Sequence, residues 1–239
     1  MTYRINTAAA EEKYNYSSQQ KSESGFFKLK EGANRIRIMS PLEVLPQHYS
    51  KGGYIGVCIG KDNHCPGCAV DDEIAAQKKA DPEGTKTLRL TRNIRWMCWI
   101  VDYLAYDRMK ANPTAYEEVV KLAMFPHKIA KLLDELQNNP DYAFSDMPMP
   151  YNIQINAKNA GTTAVEYSLL PSPRITEPAE NEIEFYSKQK TPSEIIELMK
   201  EKKKKELGYS GQNEKAVDEF DKMPSGEEEE YDNPDNIPF

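Results

Sequence analysis

The run TLRLTRNIRWMCWIVDY, residues 87–103, decides the fold. Its even positions are Leu88, Leu90, Arg92, Ile94, Trp96, Cys98 and Ile100, and its odd positions are Arg89, Thr91, Asn93, Arg95, Met97, Trp99, Val101 and Tyr103. Successive side chains of a strand point to opposite faces, so the run reads as one long strand whose even face turns to a core. Cys98, between Trp96 and Ile100, reads as a small core residue. The odd face mixes arginines with large aromatics and asks for a different account.

Outward from this strand the pattern repeats in shorter pieces. Residues 34–39 alternate basic and apolar side chains, and residues 42–49 and 54–58 read as two strands joined around Lys51-Gly52-Gly53. A cysteine-bearing loop follows, then a helix-prone stretch over 70–79 ended by Asp81-Pro82-Glu83-Gly84. Beyond the long strand, residues 118–125 form another. Pro126 then opens an amphipathic helix with Ile129, Leu132, Leu133 and Leu136 on its apolar side. Residues 152–156 and 163–170 pair around Asn159-Ala160-Gly161. Short strands with one helix between the fourth and fifth predict a mainly β fold, a five-stranded Greek-key barrel of OB type. A doubly wound sheet is excluded by the lack of alternating helices.

The barrel is expected over residues 25–172, after a polar arm at 1–24. Past Pro171-Ser172-Pro173 the core signal stops, and residues 173–210 are expected to be a linker and a basic helix. Thr191-Pro192-Ser193-Glu194 is a capping box with proline at the first helical position, predicting a helix from 192 to about 207 whose end is rich in lysine. Residues 211–239 hold ten acidic and two basic residues, which is −8 of the chain's net −7 and leaves residues 1–210 at +1. That segment has the composition of a disordered tail, and the near-neutral body leaves its basic residues free to meet nucleic acid.

Several function classes drop out. The sequence holds no Gly-x-x-x-x-Gly-Lys-Ser/Thr, His-Glu-x-x-His or Gly-x-Ser-x-Gly, so no enzyme and no small-molecule substrate are expected. The longest apolar run, residues 96–101, has six members, against the ~18–20 that span a bilayer. Met1-Thr2-Tyr3-Arg4 begins no apolar export segment. A cytoplasmic protein without membrane contact is expected.

Three of the four cysteines lie within eleven residues, as Cys58, Cys65 and Cys68. In a reducing compartment such crowding reads as a metal site rather than a disulfide framework. The Cys65-Pro66-Gly67-Cys68 turn is half of a zinc knuckle, since two intervening residues let both sulfurs meet one ion. Two histidines compete for the fourth position. His64 directly precedes Cys65, and neighbouring residues rarely reach one small ion together. His48 lies ten residues before Cys58 on a strand that can carry it across, and is the better placed. Three thiolates and one imidazole saturate the ion, so one structural zinc is expected within a subdomain spanning about 45–85.

Arginine beside aromatics on a sheet face suits single-stranded nucleic acid, because guanidinium groups meet phosphates and flat rings stack on unpaired bases. On that reasoning Arg89, Arg95, Trp99 and Tyr103 from the long strand, Arg35 and Arg37 from the first, and Lys121 and Phe125 from the fourth are the expected DNA-binding residues. The competing reading is a second buried face, with an RNA-binding or protein-interaction module as the alternative function.

Residues 26–38, FFKLKEGANRIRI, followed by His48, Cys58 and Cys65-Pro66-Gly67-Cys68, resemble the bacteriophage single-stranded DNA-binding proteins, zinc-containing OB-fold relatives of the T-even phage helix-destabilising protein. The resemblance covers roughly residues 25–170 and implies sequence-independent binding of single-stranded DNA in replication, recombination and repair, with His48, Cys58, Cys65 and Cys68 as the zinc ligands of a subdomain inserted in the barrel. The last residues, Asp235-Asn236-Ile237-Pro238-Phe239, are similar to the acidic tip of bacterial single-stranded DNA-binding proteins. That similarity implies that Asp235, Ile237, Pro238 and Phe239 dock replication and recombination proteins.

Overall fold

The long strand is the spine of the molecule. In the computed structural model, which describes residues 26–50, 53–85, 89–105, 119–162 and 164–208, it runs Arg92–Asp102 (β4) and carries partners on both edges. One edge takes β5 (Val120–Pro126), with Arg95 opposite Pro126 and Val101 opposite Val120. The other takes two strands in succession: β2 (Glu43–Ser50) against residues 92–97, and β1 (Gly32–Ile38) against residues 100–102. β1 and β2 are therefore one bent strand interrupted at residues 39–42. Pro41 has no N–H to give the ladder there, and Trp99 N–H, facing the break, donates to the Ser40 hydroxyl oxygen at 2.9 Å.

β3 (Gly53–Val57) extends the sheet beyond β2, β6 (Ile153–Lys158) pairs with β1, and β7 (Glu166–Pro171) pairs with β6, all antiparallel. The strand order is β3-β2-β4-β1-β6-β7, with β5 beside β4. Among the described residues no ladder joins β5 to β7, so this sheet is not closed as the expected five-stranded barrel would be. Helix α2 (His127–Gln137), which follows β5, packs on β4, β5 and β7 and fills the opening.

Parity places the inner core correctly. Ile94, Trp96, Cys98 and Ile100 are buried with Ile36, Ile38 and Phe125 against Ile129, Ala130, Leu133 and Leu136 of α2. The Trp96 indole N–H donates to Nδ1 of buried His127 at 3.1 Å, which spares the core an unpaired donor.

The outer face is where the expectation and the structure part. Past residue 172 the chain forms α3 (Glu180–Ser187) and α4 (Pro192–Glu206), and both lie on the sheet. Ile195, Ile196 and Met199 of α4 pack on Leu45, Val57, Met97 and Leu122. Phe185 and Tyr186 of α3 pack beside Met39, Val101 and Val120. The expected basic helix is present as α4, but with α3 it forms a second layer on the sheet. Only the exposed stretch before residue 180 is left as a connection. The layer is held by the gain of about 25 cal/mol per Å² of apolar surface removed from water. α4 begins at the expected capping box: Thr191 Oγ1 accepts from Glu194 N at 3.3 Å, and Glu194 Oε2 accepts from Thr191 N at 2.7 Å. Among the described residues no helix is long and apolar enough to cross a membrane. The expected arm at 1–24 and the acidic tail at 211–239, with Asp235, Ile237, Pro238 and Phe239, lie outside the described residues.

Candidate metal centre and candidate nucleic-acid face

His48 sits near the end of β2, opposite Arg92. Cys58 follows β3, and Cys65 and Cys68 flank the first turn of α1 (Pro66–Ala80). Pro66 suits that first turn because its missing N–H would find no helical partner there. Gly67 has a steric duty: a Cβ on it would fall 2.1 Å from Cγ of His48, so glycine alone lets the imidazole lie against the knuckle. His48, Cys58, Cys65 and Cys68 bring one ligand atom each to within 4.8 Å of one another, an arrangement that can hold a metal ion. Cys58 Sγ lies 3.6 Å from Cys68 Sγ, which lies 3.6 Å from His48 Nε2. His64, the competing ligand, is exposed, left-handed at φ 49°, and not among the four.

The electrostatics of the cluster fit a cation. Burial works to lower the His48 pKa, but the Asp71 carboxylate and the Cys65 and Cys68 sulfurs outweigh it and hold it at about 9. Cys58 and Cys65 share a proton: the hydrogen bond between them pushes the Cys58 thiol up and the Cys65 thiol down.

The expected nucleic-acid residues divide. Arg37 is 1% exposed and fully engaged, with Nε on Asn152 Oδ1 and Nη1 on Thr176 O, both at 2.8 Å, and Nη2 on Thr176 Oγ1. It fastens the chain leading into α3 and is no phosphate ligand in this arrangement. Arg95 is buried beside the α4 layer, and Trp99 is half-buried there, its indole N–H donating to Lys190 O at 2.8 Å. The helices have taken the stretch of sheet on which these two were expected to meet DNA. Phe125 and Lys121 are corrected for another reason: they stand opposite Trp96 and Ile100, so register turns them to the inner side. Phe125 is core, and Lys121 Nζ pairs with Asp102 Oδ2 at 3.1 Å. Arg89 is exposed ahead of β4.

Beyond the helices the outer face stays open, across β1, β6 and β7. Arg35 is exposed, with its guanidinium carbon 5.4 Å from the centroid of the half-buried Tyr103 ring. Opposite Arg35 on β6 stands Gln154, opposite Leu170 of β7, and one step along Asn156 stands opposite Ser168. Gln154 Nε2 donates to Asn156 Oδ1 at 2.8 Å, making a row of amides next to the cation. Leu170 is 55% exposed at the rim. The amide row escaped sequence reasoning because residues 152–156 were read only as one arm of a hairpin, without asking what either face carried. Its signal was present in the alternation of Asn152, Gln154 and Asn156 with Ile153, Ile155 and Ala157.

No protein-family model matches the sequence, and no curated protein matches it either.

Proposed function

We propose that this protein binds single-stranded DNA without catalysis, on a sheet of OB-type connectivity stapled by one structural zinc. The observation that carries the reading is the open half of the outer face, where Arg35 stacks on Tyr103 beside Gln154 and Asn156. A cation over a ring with hydrogen-bonding amides alongside offers a phosphate contact, a stacking plane and edges for unpaired bases in one place. The connectivity supports the OB-type reading: a bent first strand shared by β4 and β6, and a helix between β5 and β6 that plugs the opening.

Two of the six donor–donor edges support zinc as the ion, with all four donor atoms within 4.8 Å of one another. Tetrahedral bonds of about 2.3 Å to sulfur and about 2.05 Å to nitrogen require S···S edges of about 3.8 Å and S···N edges of about 3.6 Å, and the two measured edges are both 3.6 Å. When bound there, the ion supplies cross-linking between β2, the loop after β3 and α1. With four protein ligands it has no open position. The acidic tail, Asp235, Ile237, Pro238 and Phe239 included, is proposed to compete with DNA for basic surface and to dock replication or recombination proteins when displaced.

Fluorescence titration with oligo-dT tests this reading. Arg35→Ala should weaken binding by about 1–3 kcal/mol while leaving the melting temperature within a few degrees. Tyr103→Ala should weaken it by a similar amount per folded molecule, with some loss of stability because its ring also packs beside Met39 and Val101. Oligo-rU should compete poorly. Equal competition by RNA would move the reading to the RNA-binding alternative, and unchanged affinity in both variants would remove this face from the nucleic-acid path.

A further inference from the structure

The metal cluster has a polar backing that faces His48 from two other elements. Asp71 of α1 is buried, and its Oδ1 accepts from both Thr91 N, at 2.6 Å, and Thr91 Oγ1, at 2.8 Å. Thr91 Oγ1 lies 3.0 Å from His48 Nδ1. Asp71 Oδ2 is 3.4 Å from the same Nδ1 and has no hydrogen bond of its own. Arg92 stands behind, its Nε 3.7 Å from Asp71 Oδ2 and its Nη2 3.7 Å from Cys68 Sγ.

The short Thr91–Asp71 contact favours one polarity for this chain over the weaker alternative acceptor, Gly67 O at 3.5 Å. An ionised carboxylate accepts and never donates, so the Thr91 hydroxyl spends its proton on Asp71. Its lone pairs are then left to receive a proton from the imidazole. When His48 gives up its second proton to take a metal ion, the proton it keeps therefore sits on Nδ1, and Nε2, the nitrogen turned toward Cys68, is left bare. A bare imidazole nitrogen is what a metal ion needs.

We propose that Asp71, acting directly and through Thr91, is the positioning residue of the metal centre: it fixes the His48 proton on Nδ1 and so presents Nε2 to the ion. The assignment rests on the metal reading above. Metal-bound histidines depend on such partners for tautomer and ring orientation, and losing one typically costs 10–100-fold in metal affinity. Arg92 joins the carboxylate to the Cys68 sulfur and offsets negative charge that three thiolates would leave around a divalent ion.

The argument makes an ordering that packing alone would reverse. In Asp71→Asn the backbone N–H of Thr91, an obligate donor, keeps the amide oxygen on its own side. The amide NH₂ then faces Nδ1, draws the imidazole proton to Nε2 and opposes metal binding. In Asp71→Ala, Thr91 Oγ1 still accepts from Nδ1–H. Zinc affinity, measured by chelator competition on the full chain, should fall toward the upper end of that range, about 100-fold, in Asp71→Asn and only toward its lower end, about 10-fold, in Asp71→Ala. Cobalt(II) substitution reads the same centre by its sulfur-to-metal and ligand-field bands. Wild-type should show three sulfurs and one nitrogen, and Asp71→Asn should show the loss of the nitrogen. Should Asp71→Asn fail to fold, Thr91→Val and Thr91→Ser carry the test, the first weakening zinc binding and the second restoring it.

Asp71→Ala weaker than Asp71→Asn, or Thr91→Val equal to Thr91→Ser, would overturn the positioning role while the metal reading stands. Wild-type protein that takes up neither zinc nor cobalt would overturn both.

Discussion

Ile195→Ala tests whether the C-terminal helices belong to the folded body or merely rest on it. Ile195 is 0% exposed and packs with Ile196 and Met199 on Leu45, Val57, Met97 and Leu122. The substitution removes three buried carbons, worth about 2.4 kcal/mol at about 0.8 kcal/mol each. The incompletely collapsed cavity adds roughly another 1 kcal/mol. The total of about 3 kcal/mol corresponds to a drop of roughly 6–12 °C in Tm for a chain of this size. The assay is urea unfolding of the zinc-loaded protein, followed in parallel by tryptophan fluorescence and far-UV circular dichroism. In a Trp96→Phe background, used for wild-type and variant alike, Trp99, whose indole donates to Lys190 O at the entrance to α4, alone reports the helix layer. Both transitions should coincide and shift together. A shift below about 0.5 kcal/mol, or a wild-type fluorescence transition that precedes loss of the sheet, would refute the claim that α3 and α4 are integral.

Gly67→Ala should strip the metal site although Gly67 ligates nothing, because its Cβ would displace the His48 ring; zinc content after gel filtration checks it, and full occupancy would contradict the steric argument. Phe125→Ala should cost about 3–5 kcal/mol in stability with no loss of DNA affinity per folded molecule. Burial holds the Glu182 carboxyl above its ordinary range, so the folded state keeps a proton that the unfolded state releases, and stability falls as pH rises from about 4.5 through the folded-state value. Glu182→Gln should flatten that slope in denaturant titrations, and an unchanged slope would assign the dependence elsewhere. Deleting residues 211–239 should raise single-stranded DNA affinity most at low salt, where a tethered polyanion competes best; equal affinities at every salt concentration would end the proposed competition.

What could be read from residues alone follows a physical line. Alternation along 92–102 placed the inner core because burial on one face leaves a period of two in the sequence. The same alternation is silent about what covers the other face. Met97, Val101 and Trp99 were therefore readable as large odd-face residues, but not as the seat of α3 and α4. The start of α4 was legible in its capping box, whereas α3 begins at Ala179, which has no side-chain acceptor to announce it. His48 was preferred over His64 because His64 adjoins Cys65 and because a preceding strand can carry His48 across, and the cluster holds His48 and not His64. Asp71, Thr91 and Arg92 were illegible because they converge from α1 and β4, about twenty residues apart in sequence, and no local spacing encodes the meeting.

The strand order also sets a timetable. β1, β2 and β5 all use β4 as their ladder partner, so none of those pairings can form before residues 92–102 have left the ribosome. The four metal donors lie between His48 and Cys68, on and just after the β2–β3 hairpin. An ion held there would close only a short loop of chain, whose entropy cost is small, while β4 to β7 are still to be made. It would then tie the hairpin's strands in place early and give β4 a ready edge to recognise.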